Sequence, residues 1–224
     1  MLFRSETVTY LLSGAMEHRD STGAAAVIRP GGVQWMTAGS GVVHSELPTD
    51  DMMRAGGRAH GFQLWVNLPA AKKMVPPRYQ GYDADELARL DLPRGGVLKV
   101  VAGTVMGARG PVETTSPMTY AHAALAAGDE VTWTPGDDHT ALVHVFDGAV
   151  VANGHRAESG QMLVFRRAAG DVRVVAEDGP AQALLLGGEP LREPVVRYGP
   201  FVMNTREQIV EAFEDYQSGR LVRR

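Results

Sequence analysis

The stretch "TYLLSGAMEH", residues 9–18, has a counterpart in "VHVFDGAVVA", residues 143–152. Each is an apolar strand-like run, a polar residue and a glycine, then a second short run. A Gly-led strand follows both copies, "GGVQWM" at 31–36 and "GQMLVF" at 160–165. A further glycine and strand come next, "GVVH" at 41–44 and "GDVR" at 170–173. Strand, x-Gly, strand, Gly-turn, strand, given twice, predicts a duplicated β-barrel.

The rest of the chain agrees with an all-β reading. The 26 glycines and 13 prolines punctuate short segments, as in a barrel or sandwich. In "GFQLWVNLP" (61–69), Phe62, Leu64, Val66 and Leu68 share one face, and Gln63, Trp65 and Asn67 the other. Trp65 is expected in the core. "VLKVVAG", "ALVHVFDG", "AVVANGHRA", "QMLVFRR", "DVRVVA" and "AQALLLGG" continue the series, with "NG" at 153–154 as a tight-hairpin signal. "DADELARL" (83–90) predicts a short helix. A longer helix is expected in "NTREQIVEAFEDYQSG": Thr205 is the N-cap and Gln208 completes a capping box. Ile209, Ala212, Phe213 and Tyr216 line one face, and Gly219 is the stop. The glycine-rich "MGARGPVE" suggests a boundary there, giving units 1–107 and 108–192 and a helical tail 193–224. "GARG" lacks the strand–helix setting of a phosphate loop and reads as linker.

Composition removes whole classes of function. A net charge of -4 gives nucleic-acid binding no electrostatic support. With no cysteine, disulfides, thiolate nucleophiles and cysteine zinc sites are excluded. No apolar run is long enough to span a bilayer, and no signal peptide is read, so the expectation is a soluble, cytoplasmic protein without a membrane partner. No Ser-His-Asp arrangement has a supporting motif.

One pair of residues points to chemistry. In "SGVVHSELP" (40–48), His44 and Glu46 stand two apart in a strand and share a face with Val42, while Val43, Ser45 and Leu47 take the other. Imidazole and carboxylate together suit a divalent metal, but such a site needs at least three protein ligands. A hydrogen-bonded His–Glu pair is the alternative. Of the other histidines, His18 is expected at a barrel end and His60 in a solvent-facing loop. Glu6 is a candidate for the cavity side of its strand.

The runs "ETVTYLLSGAMEHRDSTG", "VIRPGGVQWMTAGSGVVHSE", "FQLWVNLPAAKKMVPPRYQ" and "YGPFVMNTREQIVEAFEDYQSGRL", in that order, resemble the pirin family across nearly the whole chain. The resemblance implies a bicupin, two jelly-roll-like β-barrels followed by a C-terminal α-helix. It implies one metal in the first barrel, Fe(2+) or another divalent ion, held by a His-x-His pair, a later His and a Glu. "VHSE" matches the later pair, so His44 and Glu46 inherit those two ligand roles. Aligned on "ETVTYLL", the second histidine of the His-x-His pair falls at Leu2 and the first lies one position before Met1. "MLFRS" does not match the family there. The expectation is therefore a first barrel lacking its first strands and an impaired site. Some pirins resemble quercetin 2,3-dioxygenases, which implies a flavonol-like small molecule as substrate and Glu46 as catalytic base. Others are regulators that dock on a protein partner, with iron as the switch. In the second half, the His-pair positions become Thr134 and Gly136, and Arg173 stands where His44 does. His139 and His144 lie off those positions, so no metal is expected there.

Overall fold

The computed structural model describes residues 4–222. The chain divides into two compact units, one built from residues up to 85 together with those from 191 onward, the other from 86 to 190.

The first unit opens with β1 (Ser5–Ser13), β2 (Met16–Asp20), β3 (Ala25–Ile28), β4 (Val33–Thr37), β5 (His44–Pro48), a short helix α1 (Asp50–Ala55), β6 (His60–Asn67) and β7 (Arg78–Tyr82). Two antiparallel sheets result, ordered β6-β1-β4-β7 and β3-β2-β5. Val8, Tyr10, Trp35 and Leu68 are among its fully buried side chains.

The second unit runs through β8 (Ala88–Asp91), β9 (Val97–Ala102), β10 (Thr104–Val105), β11 (Ala108–Arg109), β12 (Met118–Leu125), β13 (Glu130–Trp133), β14 (Thr140–Asp147), β15 (Ala149–Ala152), β16 (His155–Glu158), β17 (Met162–Val164), β18 (Val172–Val175) and β19 (Ala181–Gly188). Its sheets are ordered β17-β14-β19-β12-β9-β8 and β13-β18-β15-β16. Between them lies one apolar core of Leu98, Val100, Ala121, Trp133, Val143, Val150, Val174, Leu185 and their neighbours. Asn153 (φ 46°) and Gly154 (φ 80°) adopt the left-handed turn that "NG" foretold, joining β15 to β16.

The chain then returns to the first unit as β20 (Val196–Tyr198), β21 (Phe201–Met203) and α2 (Arg206–Gln217). Thr205 and Gln208 form the expected capping box. Ile209 and Ala212 are buried against Phe201 and Met203, whereas Tyr216 is largely exposed.

Three expectations are corrected here. Residues 83–90 form no helix: Ala88–Asp91 pairs with β9 as an edge strand, since alternate Ala88 and Leu90 pack on the core. The division at 107/108 falls inside the second unit, because β8 and β9 join β12 in one sheet while Met106 and Gly107 only turn the β10–β11 hairpin. The tail from 193 belongs to the first unit, where Lys73 Nζ donates to the Val202 carbonyl at 2.9 Å.

The pleat of β12 turns Ala121, Ala123 and Leu125 to the core and His122 to the opposite face. His122 is buried, lies 3.3 Å from Gln182 Oε1 through Nε2, and packs on Phe146. Burial, aided by the charge of Lys99, lowers its pKa to about 4, against the pull of the Gln182 hydrogen bond. Between pH 6.5 and 4 the unfolded chain therefore binds a proton that the folded chain refuses, and stability falls as pH drops. The share of this one group is on the order of 2–3 kcal/mol. Urea unfolding across that window is expected to show a shallower pH slope in His122→Gln than in the parent chain.

Candidate metal centre

Strand β5 alternates as expected. His44 and Glu46 are partly buried and Ser45 and Leu47 are exposed. The antiparallel register sets Glu46 opposite His18 and His44 opposite Asp20, and side chains of directly opposed residues share a face. His18 is thereby brought into the centre. It is fully buried, not at a barrel end. Its Nδ1 lies 3.9 Å from Glu46 Oε1, and its ring stacks on His44 with centroids 5.8 Å apart.

Asp20 fixes the imidazole of His18. Its Oδ2 lies 3.0 Å from His18 Nε2, while Oδ1 accepts from the Thr22 amide, the Thr22 hydroxyl and the Ala24 amide at 2.8, 2.6 and 3.3 Å. Burial pushes the Asp20 carboxyl up, but the His18, Thr22 and Ala24 hydrogen bonds outweigh it and hold the group below its ordinary value. The hydrogen bond to Asp20 holds Nε2 of His18 and leaves Nδ1 on the side of Glu46. Among the described residues, Nδ1 of His18 and Nδ1 of His44 are both buried without a hydrogen-bond partner. Burial is the largest cause that lowers His44 to about 4, against the pull of the Asp20 charge, so it is neutral near pH 7.

The neighbouring sheet holds the carboxylate. Thr9 stands opposite Gln34 on one side and Gln63 on the other, a three-residue row across β4, β1 and β6. All three side chains reach Glu46. Gln34 Nε2 donates to Oε1, Gln63 Nε2 donates to Oε2 at 2.7 Å, and the Thr9 hydroxyl is 3.4 Å from each oxygen. Both amides are oriented in turn. The Tyr79 hydroxyl donates to Gln34 Oε1 at 3.2 Å and Trp65 Nε1 to Gln63 Oε1 at 3.3 Å. Burial, with the charges of Glu46 and Asp20, pushes the Tyr79 phenol up to about 12, so it stays a donor.

Trp65 is therefore not core. It is 45% exposed and its indole serves the Gln63 amide. Glu6 faces the other side of β1 from Thr9, where it accepts from the Thr37 hydroxyl at 2.7 Å. His60 pairs with Ser13 across the sheet and contacts Phe62 and Arg58. Leu2, the aligned position of the upstream ligand, lies outside the described residues. Sequence reading missed Thr9, Asp20, Gln34, Gln63 and Tyr79. Its one available signal was an amide inside two otherwise apolar strands, "VQWM" and "FQLWV".

These donors meet the chemical needs of a metal ion only in part. A neutral His44 beside an ionisable Glu46, with unpartnered nitrogens, suits a Lewis acid. Among the described residues, however, no group of three His, Asp or Glu side chains is arranged to hold one. No helix among them is long and apolar enough to cross a membrane.

Two β-barrel units in tandem, with the His–Glu strand in the first, define a bicupin. Residues 3–66 match the pirin family and residues 120–222 the pirin C-terminal cupin domain. A pirin-like protein of Caulobacter vibrioides is 45% identical over 218 residues, covering 96% of this chain and 76% of the relative. The chain belongs to the pirin family. The crystal structure of a quercetin 2,3-dioxygenase from Acinetobacter baumannii is similar with a TM-score of 0.91 at 39% identity, over 97% of this chain and 76% of that one. A bacterial pirin of Escherichia coli, solved in complex with nickel(II), shares the fold with a TM-score of 0.66 at 23% identity, over 84% of this chain and 74% of its own.

Proposed function

We propose that the face shared by His44 and Glu46 is a dioxygenase centre of the quercetin 2,3-dioxygenase type. In this reading the two residues are metal ligands and Glu46 is the base toward a flavonol. The observation that carries it is the Glu46 carboxylate, gripped by the amides of Gln34 and Gln63 beside a neutral His44. Aimed amide donors fix the orientation of the carboxylate, as a group that takes the 3-hydroxyl proton of a flavonol must be held. A bound divalent ion, iron by preference, would supply Lewis-acid activation of substrate and dioxygen. The flavonol-type substrate is suggested by the named activity of the Acinetobacter relative.

Two ligands on one strand hold an ion loosely, so these 224 residues need excess metal to act. The test is loss of the quercetin visible band with coupled dioxygen uptake, at excess ferrous iron under controlled pH. Turnover above the iron-only blank is expected for the parent chain and none for His44→Ala or Glu46→Ala. Equal rates in all three would refute the assignment.

A further inference from the structure

The second unit carries a cavity of about 850 Å³ between the stretch 103–119 and the turn 134–139. That size lies within the range of small-molecule sites, roughly 300–1,000 Å³. Thr134 and Gly136, which the internal repeat aligns with the ligand pair of the first barrel, both line it. In place of metal donors the cavity presents Thr104, Arg109, Glu113, Thr119, Thr134 and His139.

Two of these groups have their hydrogen-bonding capacity unspent. Among the described residues, the guanidinium of Arg109 and the imidazole of His139 make no hydrogen bond or ion pair. His139 is also held in place. A Cβ at Gly136 would stand 2.6 Å from its ring, and its amide donates to the Gly136 carbonyl at 2.8 Å. The absence of a side chain at Gly136 leaves room for this imidazole. Thr134 is turned by its 2.6 Å hydrogen bond to Asp171.

The charge pattern narrows the ligand. One arginine gives a bidentate seat for one carboxylate. Thr104 and Thr119 on the wall offer hydroxyl partners. Val112, Pro117 and Met118 supply apolar wall for a carbon skeleton. We propose that this cavity binds a small hydroxylated monocarboxylic acid, with its carboxylate on Arg109, assisted by His139, and its hydroxyl toward the threonine-bearing wall. Phosphate, a mixture of monoanion and dianion at neutral pH, meets only one lining cation, Arg109, and fits less well.

Calorimetric titration of the full chain with salicylate tests it, with salicylamide and inorganic phosphate as comparisons. Salicylate is expected to bind with a Kd below about 5 mM and to lose at least about tenfold in Arg109→Gln. Salicylamide, lacking the charge, should bind the two proteins equally weakly. Among the described residues the Arg109 side chain has no hydrogen-bond or ion-pair partner, so its replacement should leave the unfolding midpoint unmoved, and His139→Gln gives an independent second loss. Salicylate affinity unchanged in Arg109→Gln, no heat at about 20 mM salicylate, or tighter binding of phosphate would each overturn the assignment.

Discussion

Glu46→Gln is expected to lower the affinity of the chain for divalent metal by about 100-fold or more, with little change in stability. The substitution keeps the shape of the side chain and removes its charge. It also sets an amide N–H₂ against the donors of Gln34 and Gln63, which now grip the carboxylate from both oxygens. One of those amides must turn away or lose its partner, at about 1 kcal/mol of folding free energy. Loss of orienting partners alone costs metal sites roughly 10–100-fold, and loss of the anionic ligand itself costs more. Nickel(II) titration by calorimetry, beside urea unfolding of the same two proteins, measures both effects. A large fall in stability with metal affinity preserved would make Glu46 a purely structural carboxylate.

Lys73→Ala is expected to destabilise the chain by about 3–5 kcal/mol. Lys73 is 2% exposed, and its ammonium donates to the Arg4 carbonyl at 3.1 Å, Asn67 Oδ1 at 2.8 Å and the Val202 carbonyl at 2.9 Å. One cation thus ties β21 to the start of β1 and the end of β6. Burial lowers its pKa to about 8, with Glu193 opposing and Arg4 reinforcing the shift. Alanine would leave two buried carbonyls and the part-buried Asn67 amide oxygen without this donor, and a void along the stem. Lys73→Met refills the void and should recover about 1–2 kcal/mol of the loss. Urea unfolding of the three proteins checks the order. A cost below about 1 kcal/mol for alanine would mean that water replaces the ammonium.

Such features show where sequence reading stops. The repeat, the "NG" hairpin, the capped C-terminal helix and the His44–Glu46 face were legible because each depends on neighbours in the chain. Lys73 was not. It follows Lys72 as one of two adjacent lysines, and its partners Arg4 and Val202 lie far away in the chain. His18 was misjudged for the same reason, since its place opposite Glu46 is set by the β2–β5 register. The row Gln34–Thr9–Gln63 joins three strands and has no sequence spacing at all. Glu6 and Thr9 were distinguishable by parity along β1, once the cavity side of that strand was known.

The most direct test is the iron content of the purified 224-residue chain, loaded anaerobically with ferrous iron, desalted and measured by elemental analysis. The two-ligand account predicts well below one iron per chain, with the remainder lost in Glu46→Gln. One iron per chain retained through desalting would contradict it, and would show that further donors close the centre around His44 and Glu46.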